Sequence, residues 1–171
     1  IITTTGFISA DYEYWSYASQ FILLTLMLIG GMGGSTGGGM KVVRIMLILK
    51  YISMELRRML HSRASIPLRI GDNIVSSDVI RSTLGFFLFY IFIFGSATLV
   101  LTMLDLDILT ALGTAASAIG NIGPALGDFG PTENYATLHP LGKWLMSFCM
   151  LLGRLEIFTV MVLFSSSYWK K

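Results

Sequence analysis

Residues 114–131, TAASAIGNIGPALGDFGP, decide the fold of this chain. The stretch is apolar enough to enter a membrane. It is too short and too interrupted by glycine and proline to cross one, because a spanning helix needs about 20 predominantly apolar residues. Irregular backbone is tolerated at membrane depth only where protein buries it or where it lines a water-filled path. We therefore predict a re-entrant segment, in which a half-helix over residues 108–119 ends at Gly120.

The residues after this half-helix form a pattern that fits a cation path. The extended piece Asn121-Ile122-Gly123 is predicted to turn its carbonyl oxygens toward the water-filled path. Rings of such carbonyls replace the hydration shell of a cation. A buried loop in a membrane protein that binds no ion is the alternative that this stretch alone leaves open.

A similar stretch, ITTTGF, occupies residues 2–7. Gly6 is followed five residues later by Asp11, as Gly123 is by Asp128, so the two stretches recur 117 residues apart. The spacing predicts two copies of one structural unit.

The composition is that of an integral membrane protein. Of 171 residues, 54% are hydrophobic and 13% are charged, and the mean hydropathy is +0.71; about a quarter of the residues of a soluble domain are charged. The basic residues are thinly spread and do not alternate with aromatic residues, which argues against a nucleic-acid partner. The single cysteine, Cys149, excludes a disulfide within the chain.

The beginning of the chain predicts that it is part of a longer polypeptide. It opens on Ile1 and the polar residues 3–5, with neither an initiator methionine nor a signal peptide. If the two similar stretches are repeats, a membrane span and a half-helix should precede Ile1.

A run of glycines interrupts the first crossing. Tyr12, Tyr14, Trp15 and Tyr17 are predicted to form an aromatic belt at the membrane interface, and residues 14–40 carry no charge. Residues 30–39 then include seven glycines, each costing about 1 kcal/mol in a helix relative to alanine. A phosphate-binding loop is excluded because Met40 separates the last glycine from lysine. Close helix packing through small residues is an alternative, but a flexible intramembrane loop facing a cavity fits better.

Charge placement predicts the topology and three segments. Residues 41–81 carry eight Lys and Arg against three Asp and Glu, so the positive-inside rule makes the loop over residues 61–81 cytoplasmic. Residues 66–76 are predicted to form a short hairpin within it. Residues 1–60 then hold the first filter-like segment and the broken helix. Residues 82–171 hold a complete unit, which crosses outward at 82–104 and back at 141–168.

One charge lies inside the last predicted helix. Arg154 sits about ten residues within it, where a charge at the membrane centre costs about 2.5–3.5 kcal/mol. It must therefore face protein or water, either at a path or in a structural ion pair. Glu156 is two residues on and does not share its helix face.

Catalysis and metal binding find little support. An intramembrane enzyme using Arg154, Glu156 or His139 would need a nucleophile and a base on neighbouring helices, and no serine or cysteine has a suitably spaced partner. His61 and His139 have no neighbour at metal-ligand spacing. A membrane subunit that transports nothing would leave the two filter-like stretches unexplained.

Four motifs in this order resemble the Trk/Ktr superfamily of potassium-uptake proteins. They are TTTGF at residues 3–7, GGSTGGGMK at residues 33–41, GNIGP at residues 120–124 and LGRLE at residues 152–156. The similarity to the pore-forming subunit extends over essentially the whole chain. It implies an all-α membrane fold with four repeats of outer helix, pore half-helix, filter loop and inner helix around one pore. This chain would hold the third repeat from its filter onward and the complete fourth.

The resemblance also assigns roles to residues. It implies a potassium filter, with potassium as the transported ion, at Thr4, Thr5, Gly6, Phe7, Gly120, Asn121, Ile122 and Gly123. It implies a gate below the filter at Gly30, Gly31, Gly33, Gly34, Ser35, Thr36, Gly37, Gly38, Gly39, Lys41 and Arg154. The sequence leaves open whether such a protein transports potassium alone or potassium and sodium.

The partners implied by the resemblance lie outside the chain. They are the missing first repeats of the same polypeptide, a second copy in a homodimer, membrane lipid and a cytoplasmic ring of nucleotide-binding regulatory subunits. No organic cofactor is expected in this chain, because the nucleotide would bind the regulatory ring. The basic loop over residues 57–81 and Lys170 are the expected docking surfaces for this ring. The expected location is the cell membrane.

Overall fold

The computed structural model describes residues 1, 3–35, 37–60, 68–70 and 73–155. In that part of the chain the helices are α1 (Tyr17–Leu28), α2 (Val42–Leu60), α3 (Ser77–Thr102), α4 (Ile108–Gly120) and α5 (Pro140–Arg154). Strands β1 (Ile29–Gly30) and β2 (Met40–Lys41) pair in parallel, and β3 (Arg69–Ile70) and β4 (Asn73–Ile74) pair antiparallel. Short 3-10 turns cover Gly127–Phe129 and Tyr135–Thr137. The fold is helical, as predicted, with two-residue strands only in connections.

Helix α4 lies at the centre of the fold. It packs against α1, α3 and α5, and residues 113–120 are all buried. Most of these residues are alanine, glycine, serine or threonine, and such small side chains let neighbouring backbones approach closely. Asp107 caps the first turn by accepting hydrogen bonds from the backbone N–H groups of Leu109 and Thr110 at 3.1 and 3.2 Å. The helix occupies the predicted half-helix position and extends one residue further.

The glycine run interrupts the helix, as predicted. Helix α1 ends at Leu28, whose carbonyl accepts a hydrogen bond from the Tyr90 hydroxyl of α3 at 3.2 Å in place of the missing helical donor. The chain leaves as a loop over residues 31–39 and returns to the same point, where Ile29 lies opposite Met40 in the β1–β2 pair. Helix α2 begins directly after this pair. The strand pair therefore closes the neck of a loop that projects from the helix.

Helix α3 is long and apolar enough to cross a membrane, with a mean hydropathy of 2.3 over 18 residues. No other helix in the described ranges meets both criteria. The sequence predicted the crossing at residues 82–104, but the helix begins five residues earlier, at Ser77. Asp78 lies in its first turn, where the positive end of the helix dipole favours an acidic side chain. The helix therefore continues past the start of the uncharged span and includes Asp78 in its first turn.

The predicted hairpin lies only partly within the described residues. Strand β3 pairs with β4 with Arg69 opposite Ile74, and the Val75 N–H donates to the Leu68 carbonyl at 2.9 Å. The Lys50 ammonium donates to the Arg69 carbonyl at 3.1 Å, which ties the hairpin to α2. Residues 61–67 and 71–72, including parts of the predicted first strand and the turn, lie outside the described residues.

Helix α5 carries the first part of the predicted inward crossing over residues 141–168. It begins at Pro140, where proline suits a first helical turn, and its described part ends at Arg154, with Leu155 at φ −86° and ψ 14°. The Leu155 N–H still donates to the Leu151 carbonyl at 3.0 Å. Residues 156–171, with Glu156 and the rest of the predicted crossing, lie outside the described part.

Substitution of Gly113 tests the packing of α4. A Cβ there would lie 2.6 Å from the Leu126 backbone nitrogen and 2.7 Å from its Cβ, so Gly113→Ala should force the returning chain away from the helix. Overpacking of this kind costs about 1–3 kcal/mol, and we expect a lower Tm of the full-length protein in detergent.

Gly95→Ala is the matched control. Gly95 lies in α3, and no atom lies within 4 Å of the position that a Cβ would take there. Alanine should therefore leave Tm unchanged or raise it, by at most about 1 kcal/mol of stability. Equal Tm values for the two variants would show that α4 and the returning chain do not need this close approach.

Candidate functional site

The two predicted filter segments share an unusual backbone conformation. Thr4 and Gly6 have φ angles of 54° and 78°, and Asn121 and Gly123, 117 residues later, have φ angles of 54° and 109°. In each segment the residue between the pair does not have a positive φ. Alternating the sign of φ turns successive carbonyl groups toward one side, whereas an ordinary strand turns them to opposite sides. Glycine takes the second left-handed position in both segments, where a side chain would be strained.

The two segments lie against each other. A Cβ on Gly6 would collide with the carbonyl oxygen of Ile122 and would lie 3.6 Å from the Pro124 ring. Ile122 is buried, whereas Gly123 is exposed. The first segment therefore approaches the second through its glycine, with no room for a side chain between them.

One face of α4 holds the second segment and the chain that returns from it. The Ser117 hydroxyl accepts a hydrogen bond from the Gly123 N–H at 3.2 Å, and the Thr110 hydroxyl accepts one from the Asp128 N–H at 3.1 Å. Gly113, between them on the same face, makes room for Leu126. The C-terminal end of α4 thus points at the segment, and a helix C-terminus carries a partial negative charge of about half an electron.

Asn121 joins the second segment to α5. Its side-chain amide donates to the Met150 carbonyl at 3.0 Å and lies 3.5 Å from the Ile119 carbonyl. Asparagine also tolerates the left-handed conformation that ends α4. A Cβ on Gly153 of α5 would collide with the Ile119 carbonyl oxygen and would lie 3.0 Å from the Asn121 amide nitrogen. The last turn of α5 is therefore in direct contact with the base of the segment.

The glycine loop reaches both segments. A Cβ on Gly38 would lie 2.7 Å from the Gly120 carbonyl oxygen and 2.8 Å from the Asn121 amide nitrogen, and one on Gly37 would lie 2.7 Å from the Thr4 hydroxyl. Gly38 and Gly39 are buried. The glycines at this end of the loop therefore allow the backbone to lie directly against the two segments.

The remaining predicted gate residues lie elsewhere in the loop. Gly30 is at the neck, where a Cβ would collide with the Gly38 carbonyl, and Lys41 is half-buried in β2. The far end of the loop contains Gly31, Gly33, Gly34 and Ser35, and no atom lies within 4 Å of a Cβ on Gly34. Thr36 lies outside the described residues.

Arg154 was predicted about ten residues inside the last helix. It is the last residue of α5 in the described part of the chain and is exposed, and the remainder of the predicted helix lies outside that part. Its neighbour Gly153 makes the close approach to Ile119 and Asn121. The sequence motif therefore contacts the second segment through its glycine.

The remaining predicted filter residues differ in exposure. Phe7 is 90% exposed, so only its backbone is placed to act in the segment. The hydroxyl groups of Thr3 and Thr5 form a hydrogen bond at 2.8 Å. These side chains stabilise the segment locally.

Sequence reasoning missed two tyrosine hydroxyls that donate to backbone carbonyls here, one at the end of the second segment and one in the chain that follows it. The Tyr135 hydroxyl donates to the Gly123 carbonyl at 2.7 Å, and the Tyr12 hydroxyl donates to the Ala125 carbonyl at 2.7 Å. Tyr12 was predicted in the aromatic belt, which was wrong: it is 3% exposed, because it lies against the chain that follows the second segment, whereas Tyr14 is 90% exposed. No sequence signal distinguished Tyr12 from the neighbouring tyrosines or marked Tyr135, because each contact depends on a residue distant in the chain.

Acidic residues gather beside the chain that follows the two segments. Glu13, Asp128 and Glu133 line a cavity of about 590 Å³. Burial raises the pKa of the Glu13 carboxyl, and the nearby carboxylates, Asp11 first, raise it further. Within the described ranges, no group of three or more His, Cys, Asp or Glu residues is placed to hold a metal ion. The acidic cavity therefore supplies negative potential, which raises the local concentration of cations.

The sequence matches proteins named for potassium uptake. A relative from Halomonas elongata, the Trk system potassium uptake protein TrkH, is 42% identical over 171 residues, which is 100% of this chain and 35% of the relative. TrkI of the same organism is 37% identical over 172 residues, and TrkH of Escherichia coli K12 is 34% identical over 169 residues. The chain thus spans about a third of the length of these relatives.

The fold matches a solved transporter. The crystal structure of the potassium transporter TrkH from Vibrio parahaemolyticus superposes with a TM-score of 0.87 at 35% identity, over 99% of this chain and 36% of that one. The sequence model of the TrkH family, described as cation transport protein, matches residues 2–171. The chain therefore belongs to the TrkH family of cation transport proteins.

Proposed function

We propose that residues 4–7 and 120–123 form two walls of a potassium-selective filter in a multi-pass membrane protein. The observation that carries this proposal is the repeated left-handed backbone, at Thr4 and Gly6 and again at Asn121 and Gly123. Between these limits the two segments read TTGF and GNIG, so similar side chains do not explain the repetition. A shared need to present carbonyl oxygens to an ion does.

Potassium is the proposed ion because the relatives are named for its uptake. Transport of both potassium and sodium through the same fold is the alternative. The two kinds of transporter differ in how firmly the filter holds its carbonyl groups. In a rigid filter the size of the cavity sets the preference between potassium and sodium, and in a deformable filter the number and field strength of the carbonyl groups set it.

The electrostatics of the site favour a cation. The partial negative charge at the C-terminus of α4 is directed at residues 120–123. The carboxylates of Glu13, Asp128 and Glu133 lie beside the chain leaving the segments. A cation entering from this side would meet negative charge first and neutral carbonyl groups afterwards.

The glycine loop is the proposed gate. Gly37 and Gly38 lie against Thr4 and Gly120, so the loop occupies the space next to both segments. A run with seven glycines loses much conformational entropy when ordered, and its position must therefore be held by contacts. We assign Arg154 to the gate because its neighbour Gly153 lies against the same segment.

The complete transporter needs parts that lie outside this chain. The remaining filter walls would come from other repeats of the same polypeptide, and the assembly would be a homodimer in the cell membrane. We propose that residues 57–81 and Lys170 dock a cytoplasmic ring of nucleotide-binding subunits. The relatives are named as transport proteins, and transport of potassium requires no catalytic residue here.

Gly123→Ser should weaken discrimination between potassium and sodium. No atom lies within 4 Å of a Cβ on Gly123, so serine is opposed only by the left-handed backbone at φ 109°. Potassium uptake by the full-length protein in liposomes, measured with competing sodium, should therefore show a lower preference for potassium. Gly95→Ser, in equally open space on α3, is the control. An unchanged preference in a folded Gly123→Ser protein would remove Gly123 from the filter.

Gly38→Ala should raise potassium uptake and keep the preference for potassium. Its Cβ would lie 2.7 Å from the Gly120 carbonyl oxygen, and the glycine-rich loop should yield before the buried segment does. Gly31→Ala, which would meet only the Ser35 side chain, at 3.1 Å, should have a smaller effect. If Gly38→Ala transports no faster than Gly31→Ala at equal membrane levels, the loop is a packing element and not an obstruction.

A further inference from the structure

Both backbone polar groups of Gly123 are held by side chains. Its N–H donates to the Ser117 hydroxyl at 3.2 Å, and its carbonyl accepts from the Tyr135 hydroxyl at 2.7 Å. The Ser117 hydroxyl thus holds the Ile122–Gly123 peptide group, and the Tyr135 hydroxyl holds the Gly123–Pro124 peptide group.

The Tyr135 hydroxyl is itself held in place. Its ring stacks on Phe129, with centroids 4.8 Å apart and planes 26° apart, and Phe129 is 2% exposed. The turn that carries Tyr135 is capped by Asn134, which accepts from the Ala136 N–H at 2.9 Å. The Lys143 ammonium of α5 donates to the Ala136 carbonyl at 2.8 Å. The hydroxyl is thus fixed from the stack on one side and from α5 on the other.

Gly123 itself adds little restraint to the peptide group that the tyrosine holds. Gly123 has no side chain, its φ is 109° and no atom lies within 4 Å of its Cβ position. A glycine in open space rotates freely between left- and right-handed conformations. Pro124, which follows, narrows the range of ψ open to Gly123, and the hydrogen bond from Tyr135 fixes the direction of the Gly123 carbonyl within that range.

We propose that Tyr135 is a positioning residue for ion selection: its hydroxyl sets the direction of the Gly123 carbonyl at the end of the filter. This inference rests on the proposed filter function of residues 120–123. A carbonyl oxygen that accepts a hydrogen bond from the tyrosine hydroxyl offers the ion only its remaining lone pair, in a fixed direction. Without the hydroxyl, the carbonyl is free to turn toward a smaller ion, and sodium should be accepted more readily.

The hydrogen bond from Tyr135 belongs to the second of the two proposed filter segments. Residues 124–139 connect Gly123 to α5, whereas only residues 7–16 connect Gly6 to α1. The longer connection accommodates the turn that carries Tyr135. Burial raises the pKa of Tyr135 above its ordinary value, so the hydroxyl stays a donor throughout the physiological pH range and the effect should not depend on pH there.

Tyr135→Phe in the full-length protein tests this role, because phenylalanine keeps the stack on Phe129 and removes only the hydroxyl. We expect the potassium-to-sodium preference in liposome uptake to fall about three- to tenfold, the effect of losing one hydrogen bond, with no change in its pH profile between about pH 6 and 8. Ser117→Ala should act in the same direction. The double variant should lose less than the sum of the two single losses, since both hydroxyl groups hold the same glycine.

Tyr12→Phe is the matched control. It removes the same kind of hydrogen bond, to the Ala125 carbonyl outside the filter, and should keep the preference for potassium. Wild-type preference in Tyr135→Phe, or an equal loss in Tyr12→Phe, would overturn the inference while leaving the filter proposal intact. If Tyr135→Phe fails to reach the membrane, Ser117→Ala decides the question in the same way. A wild-type protein with no selective uptake would overturn the filter proposal, and this inference with it.

Discussion

Three glycines from three different parts of the chain approach the backbone at the end of α4. Gly6 lies against the carbonyl of Ile122, Gly38 against that of Gly120 and Gly153 against that of Ile119. Each approach is so close that a Cβ would collide with a main-chain oxygen of this piece, so one of the two backbones would have to move. The first filter segment, the glycine loop and the last turn of α5 therefore all depend on one short piece of main chain.

If the glycine loop and residues 120–123 act as gate and filter, as proposed, this constraint couples them. Ile119 and Gly120 form the end of α4. Asn121, which follows, is held by the hydrogen bond from its side-chain amide to the Met150 carbonyl. The loop and α5 contact the same atoms, so a displacement of either changes the forces on the carbonyl groups that would bind the ion. Packed interfaces of this kind transmit small shifts because they do not deform continuously. No separate relay between gate and filter is required.

Much of this arrangement could be predicted from the sequence, because it depends on backbone geometry that glycine alone permits. The end of α4 at Gly120, the break after Leu28 and the 117-residue spacing of the segments follow from glycine and charge positions. The burial of Tyr12 could not be predicted in this way, because it depends on which distant residue lies opposite. For the same reason the sequence pointed to Arg154, although Gly153 makes the close approach to Ile119 and Asn121. It also did not single out Tyr135.

The central claim is that cations bind between the two left-handed segments through backbone carbonyl groups. Anomalous X-ray diffraction from crystals of the full-length protein containing rubidium or thallium tests it most directly. The account predicts anomalous density between residues 4–6 and 120–123, in contact with their carbonyl oxygens and above the glycine loop. Density confined to the acidic cavity beside Glu13 and Asp128, with none between the segments, would contradict it.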